Sequence, residues 1–129
     1  MRWKENSGQA AVEAALVIPL IVVLLLLTFS FGYAVLAQLL VTTSAGQGAR
    51  QGAMLCADAQ PAAVVLDSAR EKALALLKPL AGPKDATASF AGQDLVVMSS
   101  FTYAPLFPGA RTIFGDSLIF SYTARYRCN

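Results

Sequence analysis

One long apolar stretch near the N-terminus dominates the hydrophobic pattern of the chain. After Glu13 no charged residue occurs until Arg50, and the first half of this interval is almost entirely Leu, Ile, Val and Ala. A membrane-crossing helix needs about 20 apolar residues, because each residue adds about 1.5 Å toward a span of roughly 30 Å. The segment from Ala14 to about Val35 meets this requirement. The pattern therefore predicts a transmembrane helix.

Beyond this span, we expect the same helix to continue to a point between residues 45 and 53. Gly46, Gly48 and Gly52 lie in this part of the chain. Each glycine weakens a helix by about 1 kcal/mol relative to alanine. The sequence therefore predicts a hinge here, between the membrane helix and an outer domain.

A second helix is predicted after Pro61, which suits the first helical position, with Asp58 as a candidate cap. Lys78-Pro79 is expected to end it. Its apolar residues recur at helical spacing, so one face should be core. They are Val65, Leu66, Ala69, Ala73, Leu76 and Leu77.

The pattern then changes to the alternation of β-strands. We expect strands over Ala86–Phe90 and Leu95–Tyr103, with a turn at Gly92 and a loop over 104–109. A last strand, Leu118–Cys128, should turn its apolar face toward the second helix. The predicted fold is α+β: a long N-terminal transmembrane helix, then a small extracytoplasmic head with one helix on a roughly three-stranded antiparallel sheet.

Composition agrees with one small module and narrows its chemistry. The 129 residues are 56% hydrophobic and 14% charged, with a net charge of +2 and no histidine. The basic residues are scattered, so nothing points to nucleic acid. Without histidine the chain lacks the commonest general base and metal ligand. We therefore expect no enzyme, no cofactor, no metal and no small-molecule substrate.

The flanking charges predict an orientation. Arg2 and Lys4 precede the span, and basic residues beside a span tend to stay in the cytoplasm, which sends the head outward. A cleavable signal peptide is the alternative, with a cut after Ala37 and before Gln38. The apolar core is about twice too long for such a signal.

Glu13 is the exceptional residue of the span, because a carboxylate at the bilayer centre costs about 3 kcal/mol. Two interpretations stay open. If the chain were cut after Gly8, the new amino group on Gln9 would lie one helical turn from Glu13 and could neutralise it. Alternatively, Glu13 lies at the level of the lipid headgroups, where the start of the helix dipole favours it.

Pro19 and the two cysteines add structural expectations. Pro19 lacks an amide donor and should kink or loosen the helix. Cys56 precedes the second helix and Cys128 ends the last strand. Outside the cytoplasm they could form a disulfide, and two separate buried or reactive thiols are the competing interpretation.

The segment Gly8-Gln-Ala-Ala-Val-Glu13-Ala-Ala-Leu-Val-Ile-Pro19 resembles the N-terminus of TadE-like minor pilins or pseudopilins of the Tad (Flp, type IVb-like) pilus systems. Further similarities follow at Phe31-Gly-Tyr33, at Thr43–Ala53, at Tyr103-Ala-Pro105-Leu and at Ala124-Arg125. Ala14 departs from the aromatic residue that usually follows the glutamate in that family.

The resemblance implies a role for each N-terminal residue. Prepilin peptidase would cut between Gly8 and Gln9, and Glu13 would assist assembly into a filament. The implied division is a leader over 1–8, a transmembrane and assembly helix over 9–53 and a head over 54–129. The implied partners are prepilin peptidase, other pilins, the pilus assembly platform and membrane lipid. The implied location is the inner or cytoplasmic membrane, with incorporation into an extracellular pilus.

Three hypotheses of function follow. The first is a processed minor pilin or pseudopilin that takes part in assembling a Tad or type IV-like pilus. The second is an uncleaved, single-span scaffold whose head contacts envelope partners. The third is a secreted soluble binding module released by a cut after Ala37.

Overall fold

The computed structural model describes residues 3–105 and 108–128, with side chains at all of these positions except 3–7, 108, 110 and 114. Arg2 and Leu106, which the sequence predictions use, lie outside the described residues, as does the side chain of Lys4. The chain divides into two units, an N-terminal unit (Met1–Tyr33) and a head unit (Ala34–Asn129). The functional division at 8/9 and 53/54 stays a prediction.

The elements confirm the predicted fold class: a long helix, then a helix and a three-stranded antiparallel sheet. In chain order they are α1 (Trp3–Ala57), α2 (Ala62–Leu77), β1 (Lys84–Ala91), β2 (Asp94–Tyr103), α3 (Pro108–Phe114) and β3 (Leu118–Arg127).

The sheet is an antiparallel meander with β2 in the centre. Val97 in β2 pairs with Ala88 of β1 and with Ala124 of β3, and this register places the three side chains on one face. Gly92 and Gln93 connect β1 to β2 in a two-residue turn. Gly92 has φ of +68°, a conformation that glycine adopts without steric cost.

The core of the head unit lies between this sheet face and two helices. Buried side chains come from both helices and all three strands: Ala45, Ala49, Val65, Ala69, Ala73, Ala86, Leu95, Val97 and Ala124. Within α2 the buried residues are Val65, Ala69, Ala73 and Leu77, which confirms four of the six predicted core residues. The other two, Leu66 and Leu76, are only partly buried. The C-terminal part of α1 is thus a layer of the head.

The glycines of α1 lie in a continuous helix and do not form the hinge that we expected. The helix continues to Ala57, past the predicted end. A Cβ atom at Gly48 would lie 2.7 Å from the backbone oxygen of Ala69, and one at Gly52 would overlap the Leu95 side chain. These two glycines therefore let α1 approach α2 and β2 closely, and this packing outweighs their low helix propensity.

The start of α2 also differs from the prediction. Pro61 lies just before the first helical residue rather than within the helix, and no side chain caps this terminus, so Asp58 is not a cap. The Pro61 carbonyl accepts the first helical bond, from the Val65 amide at 3.1 Å. The predicted end is confirmed, because Lys78 is the C-terminal cap residue.

A short helix was missed in the predicted loop region. α3 begins at Pro108 and is followed by Gly115, whose φ is +80° and whose amide donates to the Arg111 carbonyl at 2.9 Å. Proline at the start and glycine after the end are ordinary helix boundary signals. The predicted loop over 104–109 therefore overlaps the beginning of α3.

The connection from α1 to α2 gives a first testable prediction. Ala59 has φ of +52°, and amides 59 and 60 donate to the carbonyls of Cys56 and Leu55, which is the Schellman arrangement at a helix end. Because an L-residue is strained there and glycine is not, Ala59→Gly should stabilise the head by about 0.5–1 kcal/mol in thermal unfolding.

Ala57→Gly is the matched control, since Ala57 is exposed and still helical. It should destabilise the head by about 0.5–1 kcal/mol, as glycine does within helices. Equal effects of the two variants would contradict the assigned role of the connection.

Candidate functional site

The residues predicted to direct processing and assembly lie on one uninterrupted helix. Gly8, Gln9 and Glu13 all belong to α1, which begins before them at Trp3. Positions 9 and 13 are one turn apart, so their side chains project from the same face. The structure therefore places Gln9 and Glu13 on one face of α1, and a pairing between them stays a prediction.

The helix exposes apolar side chains in every direction around this site. All residues from 8 to 26 are exposed, with Val12 at 63% and Leu16 at 73%. A helix that is apolar on all sides needs lipid or other chains around it. From Gly8 to Ala57, α1 is long and apolar enough to cross a membrane, and none of its most apolar window is buried.

Pro19 lies within α1, and helical structure continues on both sides of it. Proline has no amide proton, so the carbonyl of Ala15, four residues earlier, lacks its usual helical partner. Farther along, the Thr28 hydroxyl donates to the Leu24 carbonyl at 2.8 Å, so this polar group is satisfied within the helix. The kink at Pro19 stays a prediction.

Among the described residues, nothing packs against Gly8 in a way that would require glycine. It lies in a helix, is exposed, and, apart from the adjoining helix backbone, has no described atom within 4 Å of the place where a Cβ would stand. This contrasts with Gly48 and Gly52, which the fold requires. A requirement for glycine at position 8 would therefore come from a partner that contacts this segment.

The predicted disulfide is present in the head unit. Cys56 near the end of α1 and Cys128 after β3 are bonded, with their Cα atoms 5.4 Å apart. The Cys128 amide also donates to the Gln93 carbonyl at 2.9 Å. The bond thus fastens the C-terminal end of the sheet to the long helix, and the alternative of two free thiols is wrong.

Among the described residues, no group of three or more His, Cys, Asp or Glu side chains could hold a metal ion. Two open surface grooves lie along α2, and both are lined by Glu71 and Ala75. The ion pair between Arg127 and Asp94 is long, 3.7 Å, and both side chains are exposed.

The sequence predictions missed one group of residues and one further residue that shape the head. The small residues of α1 form a face at helical spacing, at positions 45, 48, 49 and 52, and this pattern could have indicated close helix packing. The role of Arg70 had no signal in the sequence, because its partner is a backbone carbonyl, that of Ala86.

Comparison with known proteins addresses the N-terminal helix. Residues 8–50 match the family described as TadE-like protein. No curated protein and no solved structure matches the chain. The matched segment contains Gly8, Gln9, Glu13 and Pro19, whereas the similarities near Tyr103 and Ala124 lie outside it. The predicted resemblance is therefore confirmed over residues 8–50, and the N-terminal helix of this chain is TadE-like.

Proposed function

We propose that this chain is a minor pilin or pseudopilin that prepilin peptidase cuts after Gly8 and that takes part in assembling a Tad or type IV-like pilus. The match to TadE-like proteins supports a membrane protein related to the Tad pilus. One observation supports cleavage after Gly8 and a part in assembly. Gly8, Gln9 and Glu13 occupy adjoining turns of an exposed, continuous helix.

The environment of Gly8 supports processing at this position. The residue is exposed, and no described side chain lies against it. An enzyme that cuts a backbone must approach it closely, and glycine permits the closest approach of all residues. The partner that needs a glycine here would then be the peptidase.

Processing would give Glu13 its ionic partner. A cut after Gly8 creates an ammonium group on Gln9, one helical turn from the Glu13 carboxylate. A lone carboxylate in lipid costs about 3 kcal/mol at the bilayer centre, so pairing with an ammonium, in the same chain or in a neighbour, is favoured. Pairing between neighbours would draw a subunit into the filament and align it there.

The remaining parts of the proposal concern location and partners. Basic residues before the span favour a cytoplasmic N-terminus and an external head, in the inner or cytoplasmic membrane. The disulfide supports an oxidising compartment for the head. The partners are prepilin peptidase, other pilins, the assembly platform and membrane lipid, and the role is structural rather than catalytic.

Replacement of Glu13 tests the assembly role. In cells whose only copy carries Glu13→Gln, we expect the number of pili to fall at least tenfold, because glutamine has nearly the same shape but carries no charge to neutralise an ammonium. Pili are counted by electron microscopy, and the amount of the protein in membranes is measured beside them.

Glu71→Gln provides the matched control, since Glu71 is exposed on α2 of the head. It should leave pilus number unchanged. If Glu13→Gln cells carry normal pili of normal length, Glu13 has no role in assembly and this part of the proposal is wrong.

A further inference from the structure

The two edges of the sheet differ in whether the rest of the head forms hydrogen bonds to them. At the edge of β1, the Ala86 carbonyl accepts a hydrogen bond from Nε of Arg70 on α2, at 3.0 Å. At the edge of β3, no strand and no side chain of the described residues bonds the outward backbone groups. Such an open edge is a template for another strand.

The register identifies which backbone groups point outward from β3. The Cys128 amide donates to the Gln93 carbonyl, at 2.9 Å, and hydrogen-bonded positions alternate along an antiparallel pair. The even-numbered residues of β3 therefore bond to β2. The amides and carbonyls of the odd-numbered residues point away from the sheet: Ile119, Ser121, Thr123, Arg125 and Arg127.

The face of β3 toward the helices is apolar beside this edge and incompletely covered. Tyr122 and Tyr126 share that face with buried Ala124, yet each is 44% exposed. The reason is that α2 lies mainly over β1. The predicted apolar face of this strand is therefore only partly in the core. An added strand with apolar residues on this side would extend the core face and cover the tyrosines.

The opposite face of β3 is basic at its C-terminal end. Arg125 is exposed, and the Arg127 side chain is 70% exposed, with Asp94 3.7 Å away as its ion-pair partner. In a sheet, opposite charges on neighbouring strands attract and like charges repel. A strand added here would therefore place acidic residues beside these arginines.

We propose that the free edge of β3 binds an extended segment of another protein in which apolar and acidic residues alternate. Its backbone would pair with the odd-numbered residues of β3, as in strand addition to other sheets. A second copy of β3 fits less well, because its sequence, LIFSYTARYR, contains no acidic residue. The proposal does not depend on processing at Gly8 or on a role in a pilus.

A peptide of alternating valine and glutamate, with the 10-residue length of β3, tests this surface on the full chain in lipid nanodiscs. We expect saturable binding, measured by fluorescence anisotropy. Amide exchange followed by NMR should slow at the odd-numbered residues of β3 and change little at the even-numbered ones, which are already bonded. The same peptide with lysine in place of glutamate should bind at least tenfold more weakly.

Arg125→Glu should weaken binding of the valine–glutamate peptide at least tenfold. Lys72→Glu, an equal charge reversal on the exposed side of α2, should leave it unchanged. Thr123→Pro removes one outward amide, which edge strands tolerate, and should also abolish binding while the disulfide still forms. Any of three results would overturn the proposal. Arg125→Glu and Lys72→Glu could weaken binding equally. The peptide could protect amides outside β3, or β3 could pair with β3 of a second copy instead.

Discussion

Gly48→Ala will destabilise the head unit by about 2–3 kcal/mol, the upper part of the range for an overpacked core. The added Cβ would lie 2.7 Å from the Ala69 carbonyl oxygen and 3.1 Å from the Ala73 Cβ. The nearest of these atoms is backbone, so no side-chain rotation can relieve the overlap and α1 must move away from α2. Thermal unfolding of the full chain in detergent, followed by circular dichroism, measures the loss.

Gly46→Ala is the matched control, because it is the same substitution in the same helix. Apart from the adjoining helix backbone, a Cβ there would meet no described atom within 4 Å. The better helix propensity of alanine should then act alone and stabilise the chain by up to about 1 kcal/mol. Stabilisation by both variants would show that α1 and α2 do not pack as closely as the structure has them.

Loss of the disulfide should have the largest effect on the head. The bond between Cys56 and Cys128 closes a loop with a sequence separation of 72, for which the chain-entropy model gives about 4 kcal/mol. Because a domain of this size has a limited core, the disulfide supplies a large share of the stability of the head. We expect the double variant Cys56→Ser and Cys128→Ser to unfold at a much lower temperature.

Reduction of the wild type supplies a second route to the same state. The reduced protein should unfold at the same temperature as the double variant. The reductant should not change the unfolding temperature of the variant itself. Mass spectrometry should show that each sulfur gains a hydrogen on reduction. If the wild type unfolds at the same temperature with and without the bond, the disulfide does not stabilise the head.

The sequence carried enough information for most of the fold. The uncharged stretch after Glu13, the helical spacing around Ala69 and the alternation around Val97 each depend on the periodicity of a single element. Such patterns are local, and all three elements are present. The missed helix α3 also had local signals, in Pro108 and Gly115, but it has fewer than two turns to display a periodicity.

What the sequence could not supply was the contact between distant elements. Gly48 and Gly52 lower helix propensity locally, and only the position of Ala69 and Leu95 shows that close packing requires them. The partial exposure of Tyr126 depends in the same way on which strands α2 covers. The relative placement of the candidate site residues Gly8, Gln9 and Glu13 was easier to predict, because they lie within two turns of one helix. Their roles stay predictions.

The most direct measurement is the intact mass of the protein purified from membranes of cells with and without prepilin peptidase activity. We expect the chain to begin at Gln9 when the peptidase is active and to retain residues 1–8 when it is absent. A chain that retains residues 1–8 in both would contradict processing and favour a permanently anchored scaffold. A start at Gln38 would contradict the membrane span itself and favour a secreted module.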